Sequence, residues 1–211
     1  MLQGKRIAVT GASGALGTVV LQALAAAGAS AAGIPRGTDL SDASGAAAAL
    51  RTIAQKLGGL DALVNVAGGF GFGKVADGGA EPWELMHKSN LMTAVNATQA
   101  ALPLLGANGR IIYIGSASAA KAGVGMGPYA ASKAGIEKLT EALAAEVKDR
   151  TITVNAILPS IIDTPANRAD MPKADFSRWV QPQQIADLIV FLLSDRASAI
   201  TGALIPIVGR V

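Results

Sequence analysis

The chain has 211 residues, of which 51% are hydrophobic and 16% charged, and its formal net charge is +3. This length and composition suit one folded domain with a buried core and argue against intrinsic disorder. The lack of cysteine excludes disulfides and thiolate metal sites, and a single histidine, His87, leaves little for a zinc site or a Ser-His pair.

Short β-rich runs alternate with Ala-rich helical stretches along the chain. In chain order, the predicted strands are RIAVT, SAAGI, DALVNVA, RIIYIG, TVNAIL and ALIPIV. The predicted helices span residues 15–27, 43–56, 82–105, 128–147 and 182–193. Strands such as IIYI carry no polar alternation, as expected where helices cover both faces of a sheet. The alternation predicts a single α/β domain over residues 1–211, with a Rossmann-type doubly wound parallel sheet.

A glycine-rich turn, TGASGALG, joins the first strand to the first helix. Glycines here allow a tight turn and close approach of a pyrophosphate, whose charge is stabilised by the free N–H groups at the helix start. A plain strand-to-helix turn also uses glycine, but the position between strand and helix favours dinucleotide binding. The candidate cofactor-binding residues of this turn are Gly11, Ser13, Gly14, Ala15, Leu16 and Gly17.

The end of the second strand bears on the choice between the two nicotinamide dinucleotides. An acid there binds the ribose 2′-hydroxyl of NAD, whereas a basic residue meets the 2′-phosphate of NADP. The segment reads AAGIPRGTDL, with no acid at the strand end and Arg36 just beyond it. This favours NADPH, with NADH possible; a solvated loop arginine is the alternative interpretation.

Tyr129 is one of only two tyrosines and lies four residues before Lys133 in GPYAASKAG. On a helix this spacing places both side chains on one face. A free tyrosine has a pKa of about 10, and a cation within ~4–6 Å lowers it, so that the phenol can serve as a general acid. The spacing alone also fits a tyrosine packed on the core beside a surface lysine.

TGASGALG, NVAGG, Ser116 with YAASK, and LPSIIDTP occur in the order typical of short-chain dehydrogenases/reductases. The chain resembles that family over essentially its whole length, which implies an NAD(P)(H)-dependent oxidoreductase that transfers hydride to a small carbonyl substrate. The resemblance implies that Tyr129 is the acid/base and that Lys133 binds the nicotinamide ribose and lowers the tyrosine pKa. Ser116 resembles the serine that binds the substrate carbonyl, with Ser118 as its rival.

Two asparagines compete for the remaining catalytic position. Asn90 resembles the helix asparagine that holds a water in the proton relay to the lysine, and Asn96 is the weaker competitor. Both also fit ordinary polar positions of a helix. Beyond the glycine-rich turn and Arg36, the residues that the resemblance implies for cofactor binding are Asp39, Leu40, Asn65, Ala67, Gly68, Tyr129, Lys133, Pro159, Ile162 and Thr164.

The chain departs from the family pattern in several places. Val66 replaces the second residue of the Asn-Asn-Ala-Gly signature, Ser160 stands where many members have glycine, and Gly14 lies one residue earlier than usual. Between the second strand and Asp39 there is too little chain for the helix and third strand that most members carry. We therefore expect about six strands, with the third strand and its preceding helix shortened or missing.

A narrower resemblance concerns VAGGFGFG and IIDTPANRADMPKADFSRW, which are similar to parts of quinonoid dihydropteridine reductase. That enzyme reduces a pterin ring and lacks the serine and asparagine of the full catalytic set, so pterin reduction stands as the alternative to carbonyl reduction. A non-catalytic NADP-binding sensor is a second alternative.

The segment IIDTPANRADMPKADFSRW implies a substrate lid at about 160–180. Phe70 and Phe72 fit either a platform for a flat substrate or rings packed in the core.

The expected partners, location and oligomeric state of the protein follow from its charge, its hydropathy and the family resemblance. Scattered basic residues argue against nucleic-acid binding. No apolar run approaches the roughly 20 residues of a membrane span, and the first residues lack a signal-peptide core. We therefore expect a soluble, cytoplasmic protein with no metal. The resemblance implies a homodimer or homotetramer assembled through the helices at 82–105 and 128–147.

Overall fold

A six-stranded, all-parallel sheet forms the centre of the molecule, in the order β2-β1-β3-β4-β5-β6. The computed structural model describes all 211 residues. The strands are β1 (Arg6–Thr10), β2 (Ser30–Gly33), β3 (Leu60–Asn65), β4 (Leu105–Ile114), β5 (Thr153–Pro159) and β6 (Leu204–Ile207). The α-helices are α1 (Ala15–Ala26), α2 (Ala43–Leu57), α3 (Glu81–Met86), α4 (Thr93–Ala101), α5 (Gly127–Glu146), α6 (Pro165–Asp170) and α7 (Pro182–Leu193). The predicted fold class is confirmed.

Helices cover both faces of the sheet, and each face has its own apolar core. Helices α1 and α7 pack together on one face, over inward residues such as Ile7 and Ile112. Helices α2, α4 and α5 cover the other face, over residues such as Leu63 and Ile111. Neighbouring strand residues thus point into opposite cores, which explains why the strands are apolar without alternation.

The expected shortening after the second strand is confirmed. β2 is the edge of the sheet, and residues 34–42 lead from it directly to α2 without a further strand or helix. Asp42 begins α2 by accepting a hydrogen bond from the Gly45 amide at 2.7 Å. Asn96 of α4 holds the loop by donating to the Leu40 and Ser41 carbonyls at 3.1 and 2.8 Å.

The helix predicted over 82–105 is confirmed as one helical run over residues 81–101, which contains a π-helical turn and ends four residues earlier than predicted. A π-helical turn at His87–Met92 separates α3 from α4, and the helix ends at Ala101, two residues before Pro103. Pro103 has no N–H to continue the helical hydrogen-bond pattern, which accounts for this end. The predicted strand RIIYIG begins earlier, at Leu105, because one pair forms there before an irregularity, and regular pairing resumes at Arg110. None of the helices has the length and apolar character needed to cross a membrane.

Candidate active site

A cleft of about 620 Å³ opens at the carboxyl ends of the strands. It adjoins β1 and β3, where the chain order reverses across the sheet, and ligands of doubly wound folds bind at such a reversal. The residues that line it come from the turn after β1, the loop after β2, the segment after β3, the end of β4, α5 and the segment after β5. The cleft thus gathers nearly all the motifs of the sequence.

The turn after β1 is closely packed against the segment after β3. Gly11 has φ of +64°, and a Cβ there would lie 2.6 Å from the Ala67 amide nitrogen. A Cβ on Gly17 would overlap the Gly11 carbonyl oxygen. Gly14 begins α1 with no side-chain cap, which leaves the first amides of the helix free to bind an anion. The backbone therefore forms a cradle with room for a phosphate group and none for added side chains.

The loop after β2 brings four consecutive residues to the cleft, Pro35, Arg36, Gly37 and Thr38. Arg36 is exposed there, which suits a cation that meets a ligand at the cleft rim. Leu40 also lines the cleft, whereas Asp39 does not. The Asp39 carboxylate accepts hydrogen bonds from the Ser41 amide and hydroxyl, at 2.9 and 2.5 Å, and so is committed to its own turn.

The segment after β3 contributes Ala67 and Gly68 to the cleft, and the Ala67 amide donates to Thr10 Oγ1 at 3.0 Å. Asn65 lies deeper, at the end of β3. Its side chain is buried outside the lining, and neither polar atom of the amide has a protein partner. The structure therefore places Asn65 behind the cleft surface and Ala67 and Gly68 on it.

Tyr129 and Lys133 lie together on α5, and both line the cleft. The Lys133 ammonium lies 5.9 Å from the centre of the Tyr129 ring and donates to the Ile114 carbonyl at 2.8 Å. Burial lowers the pKa of Lys133 to about 8. This arrangement excludes the alternative of a surface lysine, because the side chain is buried.

The expectation that Lys133 lowers the Tyr129 pKa stays a prediction for the protein with its cofactor bound. Burial raises the pKa of Tyr129 above its usual value, and the hydrogen-bonding Ser116 hydroxyl offsets only part of that rise. Desolvation disfavours the phenolate, while the ammonium is engaged by the Ile114 carbonyl. The phenol is therefore protonated at neutral pH.

Ser116 is buried at the end of β4 and starts a short 3₁₀ turn. Its Oγ accepts a hydrogen bond from the Ser118 amide at 3.2 Å, and the same hydroxyl lies beside the Tyr129 phenol. Ser118 contributes backbone to this turn and does not line the cleft. Of the two serines, the structure brings Ser116 to the tyrosine.

Asn90 lies in the π-helical turn and is buried next to the cleft. Its Oδ1 accepts from the Gly69 amide at 2.8 Å, and its Nδ2 donates to the Gly69 carbonyl and to Ser132 Oγ at 3.1 and 2.9 Å. Ser132 Oγ in turn donates to the Tyr129 carbonyl at 2.7 Å. Asn90 thus connects the segment after β3 to α5, while its competitor Asn96 holds the loop after β2.

Pro159, Ile162 and Thr164 line the cleft after β5, as the resemblance implied. Thr164 also begins α6, since its hydroxyl accepts from the Asn167 amide at 3.3 Å. Ser160 joins the lining and donates its hydroxyl to the Val208 carbonyl at 2.7 Å. Ser160, which stands where many members of the family have glycine, therefore contacts the C-terminal residues of the chain.

Comparison with known proteins identifies the family. A family model described as enoyl-(acyl carrier protein) reductase matches residues 1–209. The 3-oxoacyl-(acyl-carrier-protein) reductase FabG of Pseudomonas aeruginosa is 35% identical over 243 aligned positions, which cover 99% of this chain and 97% of the relative. The chain belongs to the short-chain dehydrogenase/reductase family. It is accordingly an oxidoreductase.

Solved members of the short-chain dehydrogenase/reductase family share the whole fold. A short chain dehydrogenase from Burkholderia cenocepacia, in complex with NADP, is 32% identical with a TM-score of 0.92, over 99% of this chain and 98% of that one. A blue fluorescent protein from a metagenomic library, in complex with NADPH, is 30% identical with a TM-score of 0.90, over 99% and 98% of the two chains. These relatives lend no support to the pterin or sensor alternatives.

Several cleft residues of this short-chain dehydrogenase/reductase were not singled out by motif. They carry no diagnostic residue type and reach the cleft as neighbours of motif residues; they are Ile34, Pro35, Gly37, Thr38, Val66, Gly69, Ile114 and Gly115. Ser132 was missed for a different reason, because its contact with Asn90 joins residues 42 positions apart. Its place inside YAASK was the one available signal.

Proposed function

We propose that the protein is an NADPH-dependent reductase that transfers hydride to a small carbonyl substrate, with Tyr129 as the general acid. The observation that carries this proposal is the meeting of Tyr129 and Lys133 in the cleft that also contains the glycine-rich turn, with the buried Ser116 hydroxyl beside the phenol. A non-catalytic binder of the same dinucleotide would need the turn alone. The three side chains together suit proton transfer to an oxygen.

The cleft fits a nicotinamide dinucleotide. Its volume lies within the range of about 300–1,000 Å³ typical of small-molecule and cofactor sites. Gly11 and Gly17 leave space only for backbone, and the uncapped start of α1 offers amides to a pyrophosphate. The Burkholderia and metagenomic relatives, solved with NADP and NADPH, support the phosphorylated form. When bound, this cofactor supplies the hydride.

Tyr129 supplies the proton that completes the reduction. A carbonyl that gains a hydride at carbon and a proton at oxygen becomes an alcohol, and the protonated phenol is placed to give that proton. Lys133 keeps N–H donors beyond the one used by Ile114, so its charge stabilises the phenolate left behind. Ser116 Oγ donates to the same carbonyl oxygen as negative charge develops on it.

Asn90 acts in this proposal as a positioning residue. Its amide binds both backbone polar groups of Gly69 and reaches Ser132, which lies directly before Lys133. The contacts fix the segment after β3 against the helix that carries the reacting phenol. A water held near Asn90, in relay to Lys133, stays part of the proposal.

Two further parts of the proposal concern the lid and the assembly. Residues 160–180 cover the substrate as a lid, held by the Asp163 amide, which donates to the Val180 carbonyl at 2.8 Å.

The chain forms a homodimer or homotetramer through α3, α4 and α5, where Trp83 and Pro128 line a groove of about 340 Å³. Analytical ultracentrifugation of Ala131→Arg, an exposed residue of that groove, tests the assembly.

The proposed function is tested by NADPH oxidation with a panel of ketones and diketones, run beside NADH and beside quinonoid dihydropterin. Ketone reduction that is lost in Tyr129→Phe, while calorimetry still detects NADPH binding, supports the proposal. Pterin turnover without ketone reduction would move the assignment to the pterin reaction. NADPH binding with no turnover of any substrate would return it to a sensor.

A further inference from the structure

Three aromatic rings form a continuous series that starts at the reacting phenol. The Phe70 ring meets the Tyr129 ring edge-on, with centroids 4.9 Å apart and planes at 67°. Phe72 meets Phe70 in the same way, at 4.8 Å and 90°. These distances lie in the range of favourable aromatic pairs, which prefer edge-to-face or offset contacts. We call Phe70 and Phe72 the aromatic wall.

The aromatic wall is exposed, unlike most large rings of the molecule. Phe70 is 52% and Phe72 67% exposed, whereas Tyr113 and Trp179 are 1% and 4% exposed. Phe70 also lines the cleft. The sequence left open whether these rings pack in the core, and the structure excludes that alternative. Exposed apolar surface beside a reacting group marks a binding surface.

The loop that carries the wall is fastened on both sides. Before it, Asn90 binds the amide and carbonyl of Gly69. After it, the Gly73 amide donates to the Gly125 carbonyl at 2.9 Å. A Cβ at Gly125 would lie 3.0 Å from Phe72 Cδ1, so this backbone packs against the outer ring. The wall is therefore a preformed surface, which reduces the ordering cost of binding a ligand.

The charges around the cleft favour an uncharged ligand at the wall. Arg36 and Lys133 are the only charged side chains among the residues that line the cleft. Lys133 binds the Ile114 carbonyl and, in the proposed function, serves the Tyr129 phenolate. Arg36 follows β2, which is separated by β1 from the strand that leads to Phe70. No lining cation is thus left beside the wall for a substrate carboxylate or phosphate.

We propose that the substrate carries an aromatic ring on its carbonyl carbon and that Phe70 and Phe72 select it. The inference rests on the proposed function and names the substrate class of the same site. A carbonyl oxygen that reaches Tyr129 places an attached ring beside Phe70, where it extends the edge-to-face series. Phe72 acts at a greater distance from the reacting atoms and selects larger rings.

The test compares acetophenone with cyclohexyl methyl ketone, which differ in the aromaticity of one six-membered ring. Phe70→Leu keeps an apolar side chain and removes the ring. We expect it to lower kcat/KM for acetophenone by roughly 3- to 10-fold, and by less than about twofold for the cyclohexyl ketone. Phe72→Leu has a smaller effect on acetophenone. Phe191→Leu, a matched change on α7 at the opposite face of the sheet, leaves the ratio of the two ketones unchanged.

Equal kcat/KM values for the two ketones in the wild type would overturn the inference, and so would an equal loss on both ketones in Phe70→Leu. Both results leave carbonyl reduction itself intact. Reduction of other carbonyls of the panel without reduction of acetophenone would also overturn the inference. If the wild type reduces no member of the panel of ketones and diketones, the proposed function fails, and the inference is decided by binding to the NADP⁺-loaded protein, measured by ligand-observed NMR. Preferential, Phe70-dependent binding of acetophenone supports the wall as an aryl site, and binding without that preference overturns it.

Discussion

In the turn between β1 and α1 the cleft surface is backbone, whereas around Tyr129 it consists of side chains from different elements. Gly11 and Gly17 are pressed against neighbouring backbone atoms with no space for a Cβ. Lys133 and Phe70 come from α5 and the segment after β3, and Ser116, buried behind the lining, follows β4. The turn is defined by local geometry, so a substitution there acts through steric overlap. The surroundings of Tyr129 are defined by tertiary contacts, so a substitution there acts by removing a chemical group.

Substitution of Tyr129 has the largest expected effect, and it distinguishes the chemical step from NADPH binding. Tyr129→Phe removes the proposed proton donor and keeps the ring that contacts Phe70, so we expect kcat to fall by about 100- to 10,000-fold. The affinity for NADPH, measured by calorimetry, changes little because the glycine-rich turn is intact. A large loss of NADPH affinity would contradict the separation of the two regions.

The next effect concerns the loop after β2, next to the glycine-rich turn. Arg36 in this loop is the one exposed cation among the residues that line the cleft. Arg36→Gln removes a charged donor for the 2′-phosphate, and we expect the preference for NADPH over NADH to fall by roughly 10- to 100-fold. Ratios of kcat/KM for the two cofactors measure it. Arg51→Gln, an exposed change on α2, is the matched control and leaves the ratio unaltered.

A smaller change tests the steric character of the turn itself. Gly17→Ala places a Cβ against the Gly11 carbonyl, so we expect NADPH affinity to fall about tenfold and the free energy of unfolding to drop by about 1–3 kcal/mol. Calorimetry and urea denaturation measure the two effects. Gly106→Ala serves as control because no atom lies within 4 Å of its added Cβ. Equal effects of both changes would show that the turn has no special steric demand.

The smallest expected effect is the pH dependence of stability due to Lys133. Its pKa is lowered by burial from 10.5 to about 8, so between these values the unfolded chain binds more protons than the folded one. Burying the charged lysine lowers the free energy of unfolding, and this loss is complete below about pH 8. The loss disappears as the pH rises to about 10.5, so the free energy of unfolding rises across this window. Urea denaturation of the wild type and Lys133→Met measures the difference, which should shift in favour of the wild type as pH increases. Lys56→Met, at an exposed position, controls for general charge effects.

Local patterns predicted most of the elements because their signals lie within a few residues. The glycine-rich turn, α2 and α7 beginning at Pro182 follow from turn chemistry and apolar periodicity. The π-helical turn within the helix predicted over 82–105 was not foreseen, because that turn belongs with a contact between Asn90 and Gly69, 21 residues apart. The cofactor contact of Asp39 stays a prediction, and in the structure one oxygen of its carboxylate binds its own turn.

The sequence by itself determined the alternation of strands and helices, the glycine-rich turn between β1 and α1, the pairing of Tyr129 with Lys133 on one helix face, and the absence of a further helix and strand between β2 and α2. These features depend on periodicity, spacing and chain length, which are local properties. Tertiary structure alone decided which serine meets the tyrosine, where the Lys133 ammonium binds, and that Phe70 is exposed beside the phenol. Each of these depends on contacts between distant segments and on burial, which set hydrogen-bond partners and pKa values and have no signature in neighbouring residues.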